Sequence, residues 1–421
     1  MPSGTDIMTH SPIVLRPDPA RTVLRPFALD DPNGRPGRIV ERVLGLDQER
    51  VEQELQRVME GLTDRHRDIE GAVRRRFAEA KQKLSLGDVP DDRARLIGAY
   101  FMEEYAFEAA ALFNPSMVLH PDQTGAKPGG VRFAMALRGI GEGHVSSVTF
   151  RLGFWNPDDG FTVDEPSGVA VAPRIEHGDG DDDTVCIFCD GSTHPSETVL
   201  FPTTPAQARG IEDMRLVHFE EDDGTTRHLG TYTAFSGSAA TCELMEVQDY
   251  RTFTMRKMTG DSAKKGLALF PRRLDGRYAA IGRQDGENLW LLRSDSLTHW
   301  EGGERILAPE YFWEFVQIGN CGSPIEIDEG WLLLTHGVGS VRNYCVGAAL
   351  LDRDDPTKVL GRMTLPLVHP SPKERDGYVP NVVYSCGGIV HDRTLLLPYG
   401  VADNFTAFAH VPLDDLLKAL G

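Results

Sequence analysis

The chain has 421 residues, of which 40% are hydrophobic, and its formal net charge is −19 at pH 7. Such an acidic chain is a poor partner for a nucleic-acid backbone or an anionic membrane, because both are negatively charged and attract proteins of net positive charge. No apolar run approaches the roughly 18 residues of a membrane span, and the N-terminus lacks the continuous apolar core of a signal peptide. We therefore expect a cytoplasmic protein that binds neither a membrane nor a nucleic acid.

The first third of the chain has a different pattern from the rest. Residues 1–37 are rich in proline and aspartate, and we expect them to form an irregular arm. Residues 38–112 have a helical pattern, in which apolar side chains between Val51 and Leu62 recur at steps of three and four. A second helix should begin at Asp91 or Asp92 and run to about residue 112. We expect this helical extension to pack on the flank of the remaining chain; a homo-oligomer contact through the same helices is the alternative.

A β pattern with five hairpins follows from Phe113. Their first strands are predicted at Val131–Gly139, His228–Gly237, Arg277–Gly286, Gly330–Gly339 and Thr394–Asp403, and each is followed by a second strand-like run. The hairpins recur roughly every 66 residues with no helix between them, which suggests blades arranged around an axis. The fold prediction is therefore an all-β five-bladed β-propeller over residues 113–421, with an N-terminal α-helical extension.

Two further expectations follow from this architecture. Strands that run side by side around a channel would place Arg138, Arg283, His336 and Tyr399 near one mouth. The segment after Asp403 should complete the blade that begins near Phe113, and a short helix should close the chain over Asp414–Leu420.

The cysteines give little support for a metal site. Cys186 and Cys189 form a CxxC pair with His194 nearby, but no second pair supplies the other two ligands of a structural zinc site. Two ordinary cysteines on or beside a strand are the favoured interpretation, and we predict no metal.

The segment Gly210–Arg215 (GIEDMR) places two adjacent carboxylates beside an arginine. In a regular strand Glu212 and Asp213 point to opposite faces, so only one can face the channel, whereas Asp213 and Arg215 share a face. Arg215 would then be either a substrate clamp or the ion-pair partner of Asp213. A salt bridge at a turn, without a catalytic role, is the alternative.

Several motifs occur in a characteristic order: FNPSM, GIEDMR followed by TYTAF, KKGLALFPRRLDGRYAAIGR, WLLLTHGV, GYVPNVVYSCG and YGVAD. This set resembles glycoside hydrolase family 130, the β-mannoside phosphorylases and hydrolases built on a five-bladed β-propeller, and it spans roughly Phe113 to Leu420. The resemblance implies that Asp213 is the general acid, and it requires no metal or organic cofactor. It also implies a set of substrate-binding residues, namely Asn114, Ser116, Arg138, Arg215, His336, Asn381 and Asp403.

The chain departs from the phosphorylases of that family at two positions. They carry Arg or Lys followed by Asn before the ALFP segment, and a His-Arg pair at the end of the next strand, and these groups hold phosphate. Here the pairs are Lys265-Gly266 and Gly282-Arg283, so Lys265 and Arg283 remain as anion-binding candidates and the histidine is missing. Each charge-assisted hydrogen bond lost costs about 1.5–3 kcal/mol. We therefore favour an inverting hydrolase of β-mannosides, with β-1,2-linked manno-oligosaccharides as candidate substrates.

An inverting hydrolase needs a second carboxylate, roughly 6.5–9.5 Å from the acid, that activates water. Glu287 is the main candidate because it follows Arg283 at the same strand end; a surface turn residue is the alternative. Glu243 and Glu246 are other candidates for the base, and Glu142 could bind substrate. An oligosaccharide is the expected partner in every case.

Two other functions remain open. One is a β-mannoside phosphorylase that releases mannose 1-phosphate and uses inorganic phosphate as co-substrate. The other is a non-catalytic carbohydrate-binding propeller, since a fold alone does not settle function.

Overall fold

Strands dominate the computed structural model, which describes residues 7–27, 29–178, 183–260, 265–371 and 377–421. The strands of the first half are β1 Thr9–Leu15, β2 Val23–Pro26, β3 His66–Arg67, β4 Met102–Tyr105, β5 Ala111–Leu119, β6 Val131–Ile140, β7 Ser146–Asn156, β8 Gly160–Val163, β9 Ala170–Val171, β10 Arg174–His177, β11 Val185–Phe188, β12 Val199–Leu200, β13 Gly210–Glu220, β14 Thr226–Phe235 and β15 Ala240–Val247. Those of the second half are β16 Thr252–Lys257, β17 Thr259–Gly260, β18 Ala268–Leu269, β19 Tyr278–Gly282, β20 Leu289–Ser294, β21 His299–Trp300, β22 Glu304–Leu307, β23 Gln317–Asn320, β24 Ile325–Ile327, β25 Gly330–Val338, β26 Tyr344–Leu351, β27 Val359–Arg362, β28 Val383–Tyr384, β29 Ile389–His391, β30 Thr394–Val401 and β31 Phe405–Pro412.

The helices are α1 Arg35–Leu44, α2 Gln48–Leu62, α3 Ile69–Lys83, α4 Asp91–Tyr100 and α5 Leu413–Leu420. The predicted closing helix is thus present as α5. Helix α2 begins where the Asp47 side chain accepts a hydrogen bond from the Arg50 backbone N–H at 2.9 Å, which satisfies an otherwise unpaired donor of the first turn. The prediction that helix α4 continues to residue 112 is wrong. The helix ends at Tyr100, because the next residues leave it to form β4, which pairs antiparallel with β2.

The helices before β4 pack against each other and against the β-rich part of the same chain. Val51, Leu96, Ile97 and Phe101 lie in one buried cluster between them. Helix α3 shares a second buried cluster with Leu24 of β2 and Ala172, which follows β9. The helices therefore cover the flank of their own chain through apolar contacts.

All five predicted hairpins are confirmed as antiparallel strand pairs. They are β6–β7, β14–β15, β19–β20, β25–β26 and β30–β31. Alternating side chains and short polar connections specify such pairs locally, which explains why the sequence predicts them.

The hairpins belong to four larger sheets. The largest has the strand order β10-β11-β16-β15-β14-β13-β7-β6-β5, and its two halves are joined by a single parallel pair between Gly210 of β13 and Ser146 of β7. The others have the orders β18-β19-β20-β22, β23-β25-β26-β27 and β1-β31-β30-β28. In the described residues none of these sheets closes on itself. No described helix is long and apolar enough to cross a bilayer.

The last sheet is completed by the N-terminus rather than by the strand that begins near Phe113. Strand β1, which lies in the segment predicted to be an irregular arm, pairs antiparallel with β31. In the described residues β5 does not pair with β31 and is linked to this part of the chain by single hydrogen bonds, such as the one from the Leu112 backbone N–H to the Asn404 carbonyl at 2.8 Å. The polar sequence of the arm hid β1, whose burial pattern alternates between exposed and half-buried residues.

Candidate active site

The ionisable groups converge on a cavity of about 260 Å³. Its carboxylates are Glu212, Asp213 and Asp403, and its cations are Arg138, Arg215, Lys265, Arg283 and Arg342. These residues lie on or next to strands of all four larger sheets. A second cavity of about 270 Å³ lies farther along the same strands, at Met117–Leu119 and Leu216–Val217, but its lining is mostly apolar. Convergence of perturbed ionisable groups makes the polar cavity the candidate active site.

Two β-bulges aim the central side chains into this cavity. The register of β5 with β6 shifts between Phe113 and Ser116, and that of β13 with β14 shifts between Glu212 and Arg215. Each bulge holds one residue with a positive φ, Asn114 at 48° and Asp213 at 49°. A bulge adds a residue on one strand and so re-aims the side chains around it.

The bulge in β13 overturns the prediction that Glu212 and Asp213 point to opposite faces. Both carboxylates contact the same guanidinium: Arg138 donates to Glu212 Oε1 at 2.6 Å and to Asp213 Oδ1 at 3.2 Å. The alternation rule applies to a regular strand, and this one is interrupted at the residue in question.

The three carboxyl groups have different proton affinities. Burial raises the pKa of Asp213, but the charges of Arg138 and Arg215 and a 2.7 Å hydrogen bond from Asn114 Nδ2 outweigh it, so that the pKa lies below its ordinary value. Burial raises the pKa of Glu212 against the opposing charge of Arg138, and Asp213 adds to the rise. Burial also raises the pKa of Asp403 to about 6, although Arg138 opposes the shift. Asp213 is therefore the most firmly ionised carboxylate of the empty cavity.

Arg215 is held by neutral partners rather than by the Asp213 carboxylate. Its Nε donates to Asn320 Oδ1 at 3.1 Å and one Nη to the Tyr384 hydroxyl at 2.6 Å. Its other Nη reaches only the Asp213 backbone carbonyl, at 3.2 Å. The predicted side-chain ion pair between Arg215 and Asp213 is thus not formed, because the bulge turns the carboxylate toward Arg138.

His336 is a neutral imidazole with a defined tautomer. Burial lowers its pKa well below the ordinary value, and the charges of Arg283 and Arg215 lower it further. Its Nδ1 lies 3.0 Å from the Asn320 carbonyl, which can only accept, so Nδ1 carries the proton and Nε2 is an acceptor.

Asn320 is a positioning residue that the sequence analysis missed. It is fully buried, and its Nδ2 donates to the Gly266 carbonyl at 2.7 Å while its own oxygens hold Arg215 and His336. Its position directly after Ile318 and Gly319, at the end of a short strand, was a weak signal in the sequence. Gln317, Arg342, Tyr344 and Tyr384 also line the cavity and were not selected as site residues.

Three cations of the cavity lining have no ion-pair partner of their own among the described residues. Arg283 follows β19, burial lowers its pKa, and its buried Nε has no hydrogen-bond partner among the described residues. Gly266, at φ 97°, brings the chain beside it: a Cβ there would lie 3.3 Å from Arg283 Cδ. Lys265 and Arg342 are exposed residues of the same lining. None of these three cations has an ion-pair partner within 4 Å in the described part of the chain.

The structure does not bring the predicted base, Glu287, to the cavity. Glu287 is exposed in the turn after Arg283 and does not line the cavity. The Asp285 carboxylate accepts hydrogen bonds from the backbone N–H groups of Glu287 and Asn288, at 3.0 and 2.8 Å, and so fixes the turn. The other candidates are engaged elsewhere: Glu243 binds the Tyr232 hydroxyl at 2.6 Å, and Glu246 contacts arginines on the neighbouring strands.

Three further predicted residues also lie outside the cavity lining. Ser116 is fully buried and accepts a hydrogen bond from the Leu216 backbone N–H at 2.9 Å, so it ties β5 to β13. The Asn381 backbone carbonyl accepts a hydrogen bond from the Tyr344 backbone N–H, also at 2.9 Å. The Tyr399 hydroxyl lies 3.0 Å from His10 Nδ1, in the sheet that β1 completes. Asn114, Arg138, Arg283, His336 and Asp403, by contrast, share the lining with Asp213.

In the described ranges, no three His, Cys, Asp or Glu side chains are grouped as ligands for a metal ion. Cys186 is paired with Thr254 in the ladder between β11 and β16, and burial raises the pKa of the Cys189 thiol to about 12.

Comparison with known proteins places the chain in a family. Residues 188–421, more than half of the sequence, match the model of glycoside hydrolase family 130 described as beta-1,4-mannooligosaccharide phosphorylase. The chain belongs to this family. The resemblance inferred from the ordered motifs is thereby confirmed.

Family 130 relatives with assigned activities include several phosphorylases. A 1,2-beta-oligomannan phosphorylase of Thermoanaerobacter sp. (strain X514) is 32% identical over 222 residues, which cover 52% of this chain and 73% of the relative. A beta-1,2-mannobiose phosphorylase of Listeria innocua is 30% identical over 230 residues, covering 52% of this chain and 63% of the relative.

Solved structures support the fold. The Listeria innocua enzyme in complex with beta-1,2-mannobiose superposes with a TM-score of 0.53 at 22% identity, over 75% of this chain and 93% of that one. A structure from a study of family 130 hydrolases that target beta-1,2 mannosidic linkages gives a TM-score of 0.54 at 18% identity, over 73% and 86% of the two chains. At these identities the likeness speaks for the fold alone.

Proposed function

We propose that the protein is an inverting β-mannoside phosphorylase, which transfers a mannosyl group to inorganic phosphate and releases mannose 1-phosphate. The observation that carries the proposal is the set of three cations without ion-pair partners in the described ranges, Lys265, Arg283 and Arg342, that line the same cavity as Asp213. The named relatives, which are phosphorylases, favour it over the hydrolase that the sequence analysis ranked first. The position of Glu287 also weighs against hydrolysis, because water would lack its predicted base.

The proposed scaffold is a five-bladed β-propeller. The five confirmed hairpins support it, and so does the single parallel pair that joins the two halves of the largest sheet, because those halves then count as two blades. The contribution of all four larger sheets to one cavity fits blades arranged around an axis.

In the proposed reaction a hydrogenphosphate oxygen attacks the anomeric carbon as the bond to the leaving sugar oxygen breaks. The proton of hydrogenphosphate is balanced by the proton that the leaving hydroxyl gains, so no other reagent is needed. Lys265, Arg283 and Arg342 would neutralise the nucleophile, and Nε2 of His336 would accept from its P–OH group. Although Gly282 replaces the histidine of the family phosphorylases, these three cations would still be enough to bind phosphate.

Asp213 is the proposed general acid, acting on the leaving oxygen through a sugar hydroxyl. In the empty cavity it is ionised and paired with Arg138, so it must gain a proton when substrate binds. Closing the cavity with substrate removes water and strengthens the burial effect that already raises its pKa. Asn114 Oδ1 is buried without a partner in the described residues, so it is free to accept from a mannosyl hydroxyl, and Asp403 is a second sugar-binding candidate.

The test is to incubate the protein with β-1,2- and β-1,4-linked manno-oligosaccharides, with and without phosphate, and to resolve mannose from mannose 1-phosphate. We expect mannose 1-phosphate that forms only with phosphate. Free mannose produced at the same rate in both incubations contradicts the proposal and restores the hydrolase.

Three variants sharpen this experiment. Arg283→Ala should raise KM for phosphate, and Asp213→Asn should lower kcat by about 10²–10⁴-fold, the usual contribution of a general acid. Glu287→Gln is the matched control and should keep phosphorolysis, whereas it would abolish hydrolysis if Glu287 were the base. Sugar binding without any product, by wild type and Asp213→Asn alike, would identify a non-catalytic binder.

A further inference from the structure

The five most exposed large apolar side chains of the described residues gather around the mouth of the polar cavity. They are Phe312, Phe315, Val316, Val341 and Tyr378, with exposed fractions of 83, 55, 60, 86 and 73%. We call this set the apolar rim. Exposed apolar side chains that cluster beside a cavity in this way mark a binding surface.

Chain connectivity places the apolar rim beside the cavity. Val316 directly precedes Gln317 and Val341 directly precedes Arg342, and both following residues line the cavity. The two loops touch, because a Cβ at Gly339 would lie 2.9 Å from the Phe312 carbonyl. On the other side, the residue before Tyr378 packs against Ala402, next to Asp403: a Cβ at Gly377 would lie 2.4 Å from the Ala402 carbonyl.

The loop that carries Phe312 and Phe315 is held in place from below. The Glu314 side chain is fully buried, accepts backbone hydrogen bonds from Glu310 at 3.0 Å and Tyr311 at 3.2 Å, and pairs with Arg362. Trp313 Nε1 donates to the Thr364 carbonyl at 3.2 Å. Because these two side chains anchor the loop, the rings of Phe312 and Phe315, whose centroids are 4.9 Å apart, are presented to solvent in a fixed arrangement.

The neighbouring loop is also constrained. Val341 has a φ of 55° and Arg342 one of 53°. A positive φ is a genuine outlier for a β-branched residue and persists only where the surroundings impose it. The conformation places Arg342 in the cavity lining while Val341 stays exposed.

The cavity is too small for a whole oligosaccharide substrate. Its volume of about 260 Å³ lies below the roughly 300–1,000 Å³ of sites that enclose a drug-sized ligand, so it has room for one sugar ring beside an anion. The remaining sugars must therefore lie at the mouth. Polar groups alternate with apolar ones there: Gln317 and Arg342 next to the valines, and His144, whose ring lies 5.5 Å from that of Tyr378. A saccharide, with apolar C–H faces and hydroxyl edges, matches this alternation better than a purely apolar partner.

We propose that the apolar rim binds the leaving-group side of the substrate and selects oligosaccharides longer than a disaccharide. The inference rests on the proposed phosphorylase function. Val316 and Val341, adjacent to lining residues, would contact the first sugar beyond the transferred mannose. Phe312 and Phe315 would stack on the next one.

The test uses the synthetic direction, with mannose 1-phosphate as donor and mannose, mannobiose or mannotriose as acceptor. In the wild type we expect KM for the acceptor to fall as the acceptor lengthens. Phe312→Ala or Phe315→Ala should raise KM for mannotriose about tenfold, the effect of losing part of one aromatic contact, and leave KM for mannose 1-phosphate unchanged. Phe312→Leu keeps apolar bulk without a ring, so its KM for mannotriose should lie between those of the wild type and Phe312→Ala. Tyr100→Ala, an exposed aromatic residue of α4, is the control and should change nothing.

Each outcome separates the two proposals. A wild type that neither uses mannose 1-phosphate nor forms it overturns the proposed function, and this inference with it. If the wild type is active and both phenylalanine variants have the same acceptor KM as the wild type, the inference alone is overturned. A change of sedimentation coefficient in the variants, with acceptor KM unaltered, would assign the apolar rim to a contact between two copies of the chain and likewise overturn it.

Discussion

Asp403 is the cavity carboxylate whose proton affinity is most useful to measure. Its pKa is raised to about 6 by burial, against the opposing charge of Arg138, whereas an unfolded aspartate titrates near its ordinary value of 3.8. The folded protein therefore binds this proton more tightly than the unfolded chain does. The stability that the proton provides is fully present below about pH 4 and is lost as the pH rises through 6.

Replacing Asp403 by Asn removes this titration. Since Asn resembles the protonated acid, the free energy of unfolding of Asp403→Asn, relative to wild type, should rise by about 2–3 kcal/mol between pH 4 and pH 7. Urea unfolding of both proteins at several pH values measures the difference, in which the titrations of groups that do not interact with Asp403 cancel. A difference that does not change with pH would mean that Asp403 has an ordinary pKa in the folded protein.

At the level of the strand, the bulges of β5 and β13 connect backbone strain to the arrangement of the cavity. Each places a non-glycine residue in the left-handed region, where an L-residue with a Cβ is disfavoured by about 1–2 kcal/mol. Asn and Asp tolerate this region better than most residues, because their short polar side chains form local hydrogen bonds. The hydrogen bond between Asn114 and Asp213 joins the two bulges to each other.

This strain is measurable with two inactive variants. Asp213→Gly should be more stable than Asp213→Ala by about 1 kcal/mol, because glycine adopts a positive φ without a steric penalty. The same two substitutions at His218, an exposed residue on the regular part of β13, should give the opposite order, with Ala more stable by about 0.5–1 kcal/mol. Chemical unfolding of the four variants provides the comparison. If the Ala variant is more stable than the Gly variant at both positions, the bulge carries no strain.

The same contrast between regular and irregular segments explains what the sequence could predict. The hairpins follow from two-residue periodicity and local turns, and α2 follows from the helical periodicity between Val51 and Leu62. The convergence of Asp213 with Arg138 followed from family motifs. The shared orientation of Glu212 and Asp213 could not be predicted, because one extra residue reverses the alternation and leaves no mark on composition. The contribution of Asn320 was equally hidden, since it acts through contacts with residues distant in sequence.

Over the whole molecule, the N-terminal segment that precedes α1 is tied to the rest of the chain at widely separated points. Strand β1 pairs with β31 of the C-terminal sheet, and β2 pairs with β4 in a separate two-stranded sheet. Between them, Arg21 joins a buried ion triad in which the Glu108 carboxylate contacts Arg21 at 3.1 Å and Arg151 at 2.8 Å. All three side chains are at most 6% exposed, and burial, followed by the charge of Arg151, lowers the pKa of Arg21 to about 10.

Removing the shared carboxylate should therefore destabilise the whole fold. Glu108→Gln leaves two buried guanidinium groups without their counter-charge, and breaking a buried pair in this way costs about 3–5 kcal/mol. Arg21→Met should cost less, because Glu108 and Arg151 remain paired. Lys418→Ala, which removes an exposed partner of Asp415, is the control and should leave the urea midpoint of unfolding close to that of the wild type.

Far-UV circular dichroism during urea unfolding distinguishes two roles for the triad. If it couples the N-terminal segment to the rest, Glu108→Gln should lower the midpoint of a single transition, because strands at both ends of the chain then unfold together. If the transition of this variant splits in two, the N-terminal segment has become independent, and the ties through β1 and β2 are insufficient without the triad. An unchanged midpoint would mean that the attraction in the triad only offsets the cost of burying its charges, so that β1 and β2 alone hold the segment in place.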